Sequence, residues 1–234
     1  MSRVALIPGG SGGLGQAVVL ALLHRGDSVA VPYLIPEQSD ALEKRLGGHH
    51  PRLWLTRADV LSPKVLDRVA AEAAERFGSL DIMVSLIGGW SGGFDLDEVD
   101  DLRWDRALEL NLRSAFLAAR SAIRHMRAKH WGRLVFVSSR AAREYPGGQA
   151  AYNVAKAGVI SLVESLANEP RFTGITANCV LPSIIDTDAA RQVMPHADFD
   201  RWPKTDQIAK VISWLTSDDA GLVSGAALPV YGRV

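Results

Sequence analysis

Seven short apolar runs alternate along the chain with longer amphipathic stretches, and this alternation restricts the fold more than any other feature. The runs cover residues 4–7, 28–33, 53–57, 82–86, 134–137, 176–180 and 226–230. Most are continuously apolar rather than alternating in polarity, as in strands covered on both faces. Between them lie helical stretches at 13–25, 63–77, 102–129, 152–166 and 205–215. In the third, Leu108, Leu112, Ala115, Ala119, Ala122 and Met126 recur at helical spacing. Strand–helix–strand repetition predicts an α/β fold, a doubly wound parallel sheet of about seven strands. No linker, repeat or low-complexity segment divides residues 1–234, so a single domain is expected. Residues 188–203, which include Pro195, Trp202 and Pro203, lack this regularity and are expected to form an insertion or substrate lid.

The first run leads into Pro8-Gly9-Gly10-Ser11-Gly12-Gly13-Leu14-Gly15, and a helix follows. A strand, a glycine loop and a helix start make an anion site: free N–H groups point at a phosphate and the glycines let backbone approach it. A dinucleotide is the expected ligand. Its type should show at the end of the second strand, where a carboxylate holds the ribose of NAD and an Arg meets the phosphate of NADP. Val31-Pro32-Tyr33-Leu34 has neither, and the missing carboxylate leans toward NADP. Asp59-Val60, after the third strand, suits either a place beside the adenine or a surface helix cap before Pro63.

Composition narrows the partners. The 26 basic and 26 acidic residues cancel and form no basic stripe, which argues against nucleic acid. The apolar run after Met1 is too short for a signal peptide or a membrane span, and the lone Cys179 fits a reducing compartment, so a cytoplasmic setting is expected. His49-His50 has no further ligands nearby in sequence, and no metal site is expected.

Tyr152 and Lys156 stand one helical turn apart on one face. A neighbouring ammonium is expected to stabilise the phenolate and bring the phenol closer to neutrality as a proton donor. Ser139 ends the strand Leu134-Val135-Phe136-Val137-Ser138-Ser139, at the crevice side of such a sheet, where a hydroxyl polarises a carbonyl or simply opens a turn. Asn111 lies on the apolar stripe of its helix, and a buried amide there needs a partner, either a relay water near Lys156 or helix backbone.

Gly9, Gly13 and Gly15, Asp59, Asn111, Ser139, and Tyr152 with Lys156 occur together and in order, and so does Pro182-Ser183-Ile184-Ile185-Asp186-Thr187. In this set the chain resembles the short-chain dehydrogenases/reductases over essentially its full length. The resemblance implies a Rossmann-type domain, NAD or NADP, and hydride transfer between the nicotinamide and a small-molecule carbonyl or alcohol. It implies Tyr152 as the acid, Lys156 as its tuner and a ribose ligand, Ser139 as the carbonyl anchor and Asn111 as the water holder. Pro182, Ile185 and Thr187 would meet the nicotinamide amide. It also implies homodimers or homotetramers through helices 102–129 and 152–166, whose Ala115, Ala118, Ala119, Ala155, Ala157 and Gly158 would allow close packing. Three positions depart from the family pattern: Pro8 for Thr, Ser183 for Gly, and Ser85-Leu86-Ile87-Gly88 for Asn-Asn-Ala-Gly.

Locally, Gly88-Gly89-Trp90-Ser91-Gly92-Gly93 and Met194-Pro195-His196-Ala197-Asp198-Phe199 with Trp202 resemble dihydropteridine reductases, a subfamily that reduces a flat quinonoid pterin. Gly88 would then lie beside the cofactor, while Trp90, Met194 and Trp202 would face the substrate, Trp90 by stacking on a ring. That subfamily lacks the serine, carries a carboxylate after the second strand and uses NADH, whereas this chain has Ser139 and no such carboxylate. A carbonyl reductase is therefore the primary expectation, a quinonoid dihydropteridine reductase the alternative. A non-catalytic dinucleotide sensor would have little use for both Tyr152 and Ser139.

Overall fold

One sheet takes in all the strands. The computed structural model describes residues 2–169 and 171–233. Strands β1 (Val4–Leu6), β2 (Ser28–Tyr33), β3 (Leu53–Arg57), β4 (Ile82–Ser85), β5 (Gly132–Val137), β6 (Ile175–Pro182) and β7 (Ala227–Val230) pair in the order β3-β2-β1-β4-β5-β6-β7. Every pairing is parallel. The expected doubly wound α/β architecture is what the chain forms.

The central strands are mostly apolar because both of their faces are covered. Along β5, Leu134 and Phe136 enter one core and Val135 the other, all fully buried. Helices α3 (Pro63–Phe77), α5 (Ser114–Met126), the short α6 (Ala141–Glu144) and α7 (Ala150–Ala167) close the first core. Helices α1 (Gly13–Arg25) and α9 (Thr205–Leu215) close the second, with Leu42 of α2 (Pro36–Arg45). Strand order reverses across the β1–β4 pair, which opens a crevice at the carboxyl ends of these strands.

Three elements differ from the sequence expectation. Helix α2 is extra: it is strongly polar and buries only Ser39 and Leu42, so it has almost no apolar stripe to read. The continuous helix expected at 102–129 is interrupted. Helix α4 (Asp101–Leu108) passes through a π-helical turn at Glu109–Arg113 into α5, and a 3-10 turn at Arg127–Lys129 follows. The segment 188–203 is partly ordered into helix α8 (Asp188–Val193) and a 3-10 turn (Phe199–Arg201). Its base is clasped: Arg191 donates to the Asp186 carboxylate at 2.6 and 2.9 Å, and Lys204 Nζ donates to it at 2.8 Å. The two cations hold the Asp186 carboxyl well below the usual carboxylate range.

The small residues expected at a twofold contact are mostly spent inside the chain. Ala115, Ala118, Ala119 and Ala155 are buried within the single chain, and a Cβ on Gly158 would lie 2.8 Å from Leu112 Cδ2. They bring α5, α7 and the sheet together. Among the described residues no helix is long and apolar enough to cross a membrane.

Candidate active site

The glycine loop is folded for a group that needs bare backbone. Gly9 has φ +82°, open to glycine at little cost, and a Cβ there would lie 2.9 Å from the Leu86 carbonyl carbon at the end of β4. A Cβ on Gly15 would come within 2.2 Å of the Gly9 oxygen, and one on Gly13 within 2.9 Å of Thr187 Cγ2. The α1 N-cap is Gly12, which has no side chain to satisfy the first-turn N–H groups. Uncapped donors in a side-chain-free cradle fit a pyrophosphate. Ser11 is buried, and its hydroxyl donates to Gln38 Oε1 at 3.2 Å, so α2 closes the outer side of the loop. Leu14 and Gly15 are packed beneath it.

Asp59 lies at the carboxyl end of β3, exposed, and its Oδ1 accepts from the Leu61 amide at 3.0 Å. The cap of α3 is Ser62, so Asp59 shapes the turn ahead of the helix and is not the helix cap. Val60 beside it is buried. At the end of β6, the Pro182 oxygen accepts from the Arg140 amide at 2.8 Å, and Ser183 Oγ donates to the Tyr231 oxygen at 2.6 Å. Ile185 packs into the second core, and Thr187 caps α8 while its methyl group faces Gly13.

The four candidate reaction residues converge at the ends of β4 and β5. Lys156 is buried, and its Nζ donates to the Val137 oxygen at 3.0 Å and lies 5.7 Å from the Tyr152 ring centroid. Ser138 Oγ donates to the Lys156 oxygen at 2.7 Å, tying α7 to β5. Ser139 Oγ accepts from the Ala141 amide at 3.1 Å. Asn111 sits in the π-helical turn and is buried. Its Oδ1 accepts from the Gly89 amide at 3.0 Å, and its Nδ2 donates to the Gly89 and Ala107 oxygens, each at 3.1 Å. The amide thus clamps the Gly88-Gly89 turn and bonds to helix backbone as well. Gly88 lies between Asn111 and Lys156, with room for no side chain.

Titration differs from the sequence expectation. Burial pushes the Tyr152 phenol up, and its contact with the Ser139 hydroxyl offsets only part of that. Burial also pulls Lys156 down, to about 8. The ammonium was expected to lower the phenol, but burial dominates at both groups. Cys179 is fully buried on β6 and burial pushes its thiol up to about 12, which leaves it unreactive.

On the substrate side, Trp90 is 66 % exposed and its Nε1 donates to Gln149 Oε1 at 2.6 Å. The Gly93 amide donates to the Gly148 oxygen at 2.7 Å, so the loop after β4 lies across the loop before α7. Between them opens a cavity of about 360 Å³ that Trp90, Phe94, Val99, Arg103, Arg106, Leu110, Asn111 and Ala151 help to line. Met194 is half-buried in the segment 188–203. Trp202, also expected on the substrate side, is 4 % exposed, with its ring 5.0 Å from Phe199. Gln149, Arg103 and Arg106 were not singled out from sequence, since only the crossing of the two loops brings them to one cavity.

Residues 3–198 match the family model described as short chain dehydrogenase. The chain is 32 % identical over 239 residues to 3-oxoacyl-acyl-carrier-protein reductase FabG of Escherichia coli, covering 98 % of this chain and 96 % of that one. It is 32 % identical over 238 residues to cis-4-hydroxycyclohexanecarboxylate dehydrogenase of Sinomonas cyclohexanicum, covering 98 % and 95 %. A variant of the actinorhodin polyketide ketoreductase, solved with NADPH, superposes with a TM-score of 0.88 at 25 % identity over 99 % of this chain and 96 % of that one.

Proposed function

The chain belongs to the short chain dehydrogenases, and from that premise we propose that it reduces a ketone on a small molecule, or oxidises the matching secondary alcohol, with NADP(H). Membership makes it an NAD(P)-dependent oxidoreductase. The observation that carries the finer reading is the convergence of Ser139, Tyr152 and buried Lys156 at the crevice end of β5.

In this reading the glycine cradle and the α1 N-terminus bind the pyrophosphate, with Ser11, Leu14 and Asp59-Val60 on the adenosine side. Gly88 leaves space beside the nicotinamide ribose, and Pro182, Ile185 and Thr187 border the nicotinamide, which supplies the hydride when bound. Ser139 and Tyr152 donate hydrogen bonds to the carbonyl oxygen, and Tyr152 passes it a proton as charge develops there. Lys156 holds positive charge next to the phenolate left behind. Asn111 fixes the Gly88-Gly89 turn on which that geometry rests. Residues 188–203 act as the substrate lid, with Met194 on its inner side. The preference for NADP rests on the absence of a carboxylate at Tyr33-Leu34 and is supported by the ketoreductase solved with NADPH. Self-association through α5 and α7 is part of the same proposal, now resting on Phe116 and Val154, which are exposed there.

A panel of ketones and secondary alcohols, assayed with NADPH and NADH, tests this reading. Turnover of ketones with NADPH preferred is the expected result; no turnover of any carbonyl with either nucleotide refutes it. The exposed indole of Trp90 favours one second reading, reduction of a quinonoid dihydropterin, and such a pterin belongs in the panel.

A further inference from the structure

Two guanidinium groups border the cavity beside the Gly88–Phe94 loop. Arg103 and Arg106 lie three residues apart on α4 and both border it. Arg103 is committed: it bonds to the Asp100 carboxylate, and its guanidinium sits 4.6 Å from the Phe94 ring centroid. Arg106 has no ion pair or side-chain hydrogen bond among the described residues. The remaining lining is mostly aromatic, aliphatic or glycine, with the polar side chains of Ser91, Asn111 and Gln149, and includes no Asp or Glu. Of the carboxylates on or beside α4, Asp100 pairs with Arg103 and Glu109 with Arg113 at 3.6 Å. At its inner end the cavity reaches Gly89 and Asn111, next to the Lys156 side of the candidate site.

An unpaired guanidinium at one end of an apolar, aromatic-walled cavity matches a ligand with a flat body and an anionic end. Arg offers a planar fork of donors that a carboxylate fills with two parallel bonds. The volume of about 360 Å³ is at the small end for ligand sites, which suits a single ring better than a long acyl chain. We propose that Arg106 binds the carboxylate of the substrate, and that the substrate class is a ring-bearing keto acid or hydroxy acid. The inference rests on the ketone-reductase reading above and deepens it.

The test compares 4-acetylbenzoate with its methyl ester, the same ring and ketone with and without charge. With NADPH, the wild-type protein should show a KM for the acid about tenfold below that for the ester. Arg106→Gln should raise the KM of the acid about tenfold and leave the ester KM and both kcat values within about twofold. Arg106 is exposed, and an unchanged melting temperature confirms that the variant folds. Equal KM values in the wild type, or a variant that raises both, overturns the proposal. Calorimetric titration of 4-acetylbenzoate into the protein with NADP⁺ separates this outcome from failure of the reductase reading. Binding that is lost in Arg106→Gln supports the carboxylate site even where no turnover occurs; no binding by the wild type refutes it.

Discussion

Gly88 faces Lys156 so closely that a Cβ added to the glycine would lie 2.9 Å from Nζ, with Asn111 Oδ1 at 2.8 Å on its other side. Both atoms end side chains, so they can move aside without breaking the core. Gly88→Ala is therefore expected to leave the fold largely intact and displace the Asn111–Lys156 pair. A shift near 1 Å at a reacting group costs up to about a hundredfold in rate. The prediction is a melting temperature lowered by no more than a few degrees, about 1 kcal/mol, with kcat down at least about tenfold. Parallel measurement of melting and steady-state rates checks it; a normal kcat would show that the pair tolerates displacement.

In the ketone-reductase reading proposed above, Tyr152→Phe removes the proton donor and little else, because the ring stays packed. General acid catalysis contributes about 10²- to 10⁴-fold, and turnover should drop by that order while dinucleotide binding persists. Ser139→Ala removes one donor to the developing oxyanion and one acceptor from the Ala141 amide. Ketone reduction should fall about 10²- to 10³-fold. Under the second reading the same variant keeps its activity on a quinonoid dihydropterin, whose reduction needs no anchored carbonyl. The two substrates assayed side by side decide between the readings.

Lys156 gives a pH dependence with a definite sign. Its value in the folded chain is pulled down to about 8 from an ordinary 10.5, so it loses its charge within an accessible range. The pH profile of kcat/KM reports groups of the free enzyme. Carbonyl reduction should therefore decline as pH rises through about 8. A limb lying instead above pH 10 would mean that the buried ammonium keeps its ordinary value. Stability runs the other way: the folded state binds fewer protons at this site than the unfolded chain, so this group makes folding more favourable as pH rises from about 8 to 10.5.

Gly15 is a test of the cradle. A Cβ there would meet the Gly9 oxygen at 2.2 Å, and backbone cannot step aside as a side chain can. Gly15→Ala should cost about 1–3 kcal/mol from overpacking and weaken NADP binding. Denaturant melts and nucleotide titration measure the two effects. Gly47→Ala serves as the contrast: its φ of +79° also disfavours a side chain, but nothing lies within 4 Å of an added Cβ, so nucleotide binding should be untouched.

What sequence reading captured and what it missed follow from the same physics. The strands were legible because a doubly covered sheet makes each run apolar from end to end, as in Val29-Ala30-Val31 and Leu134-Val135-Phe136. The glycine loop was legible because four of its positions, Gly9, Gly10, Gly13 and Gly15, leave no room for a Cβ. Helix α2 was not, because Leu42 is its only buried apolar residue, although Pro36 at its start, Glu37 in its first turn and Lys44-Arg45 in its last mark its ends. The π-helical turn at Asn111 shifts hydrogen bonds by one residue and leaves no trace in composition. Burial of Trp202 and the upward shift of Tyr152 depend on distant segments folding over them. The Arg106 cavity exists only because Gly93 and Phe94 dock on Gly148.

Trp90 separates a substrate role from a structural one through two substitutions. Its indole is 66 % exposed and held by a single bond to Gln149 at 2.6 Å. Little of the core depends on it, so neither Trp90→Phe nor Trp90→Ala should lower stability by more than about 1 kcal/mol. Aromatic pairing is worth about 0.5–1.5 kcal/mol beyond burial, and a stacked ring in the substrate would lose that in Trp90→Ala. For an aromatic ketone, KM should rise about tenfold in Trp90→Ala and about threefold or less in Trp90→Phe, which keeps a ring but loses the Gln149 bond. NADPH affinity should stay the same in both. If both substitutions raise KM equally, the bond to Gln149 matters rather than the ring, and Trp90 serves to hold the loop closed; if neither does, the indole touches no substrate.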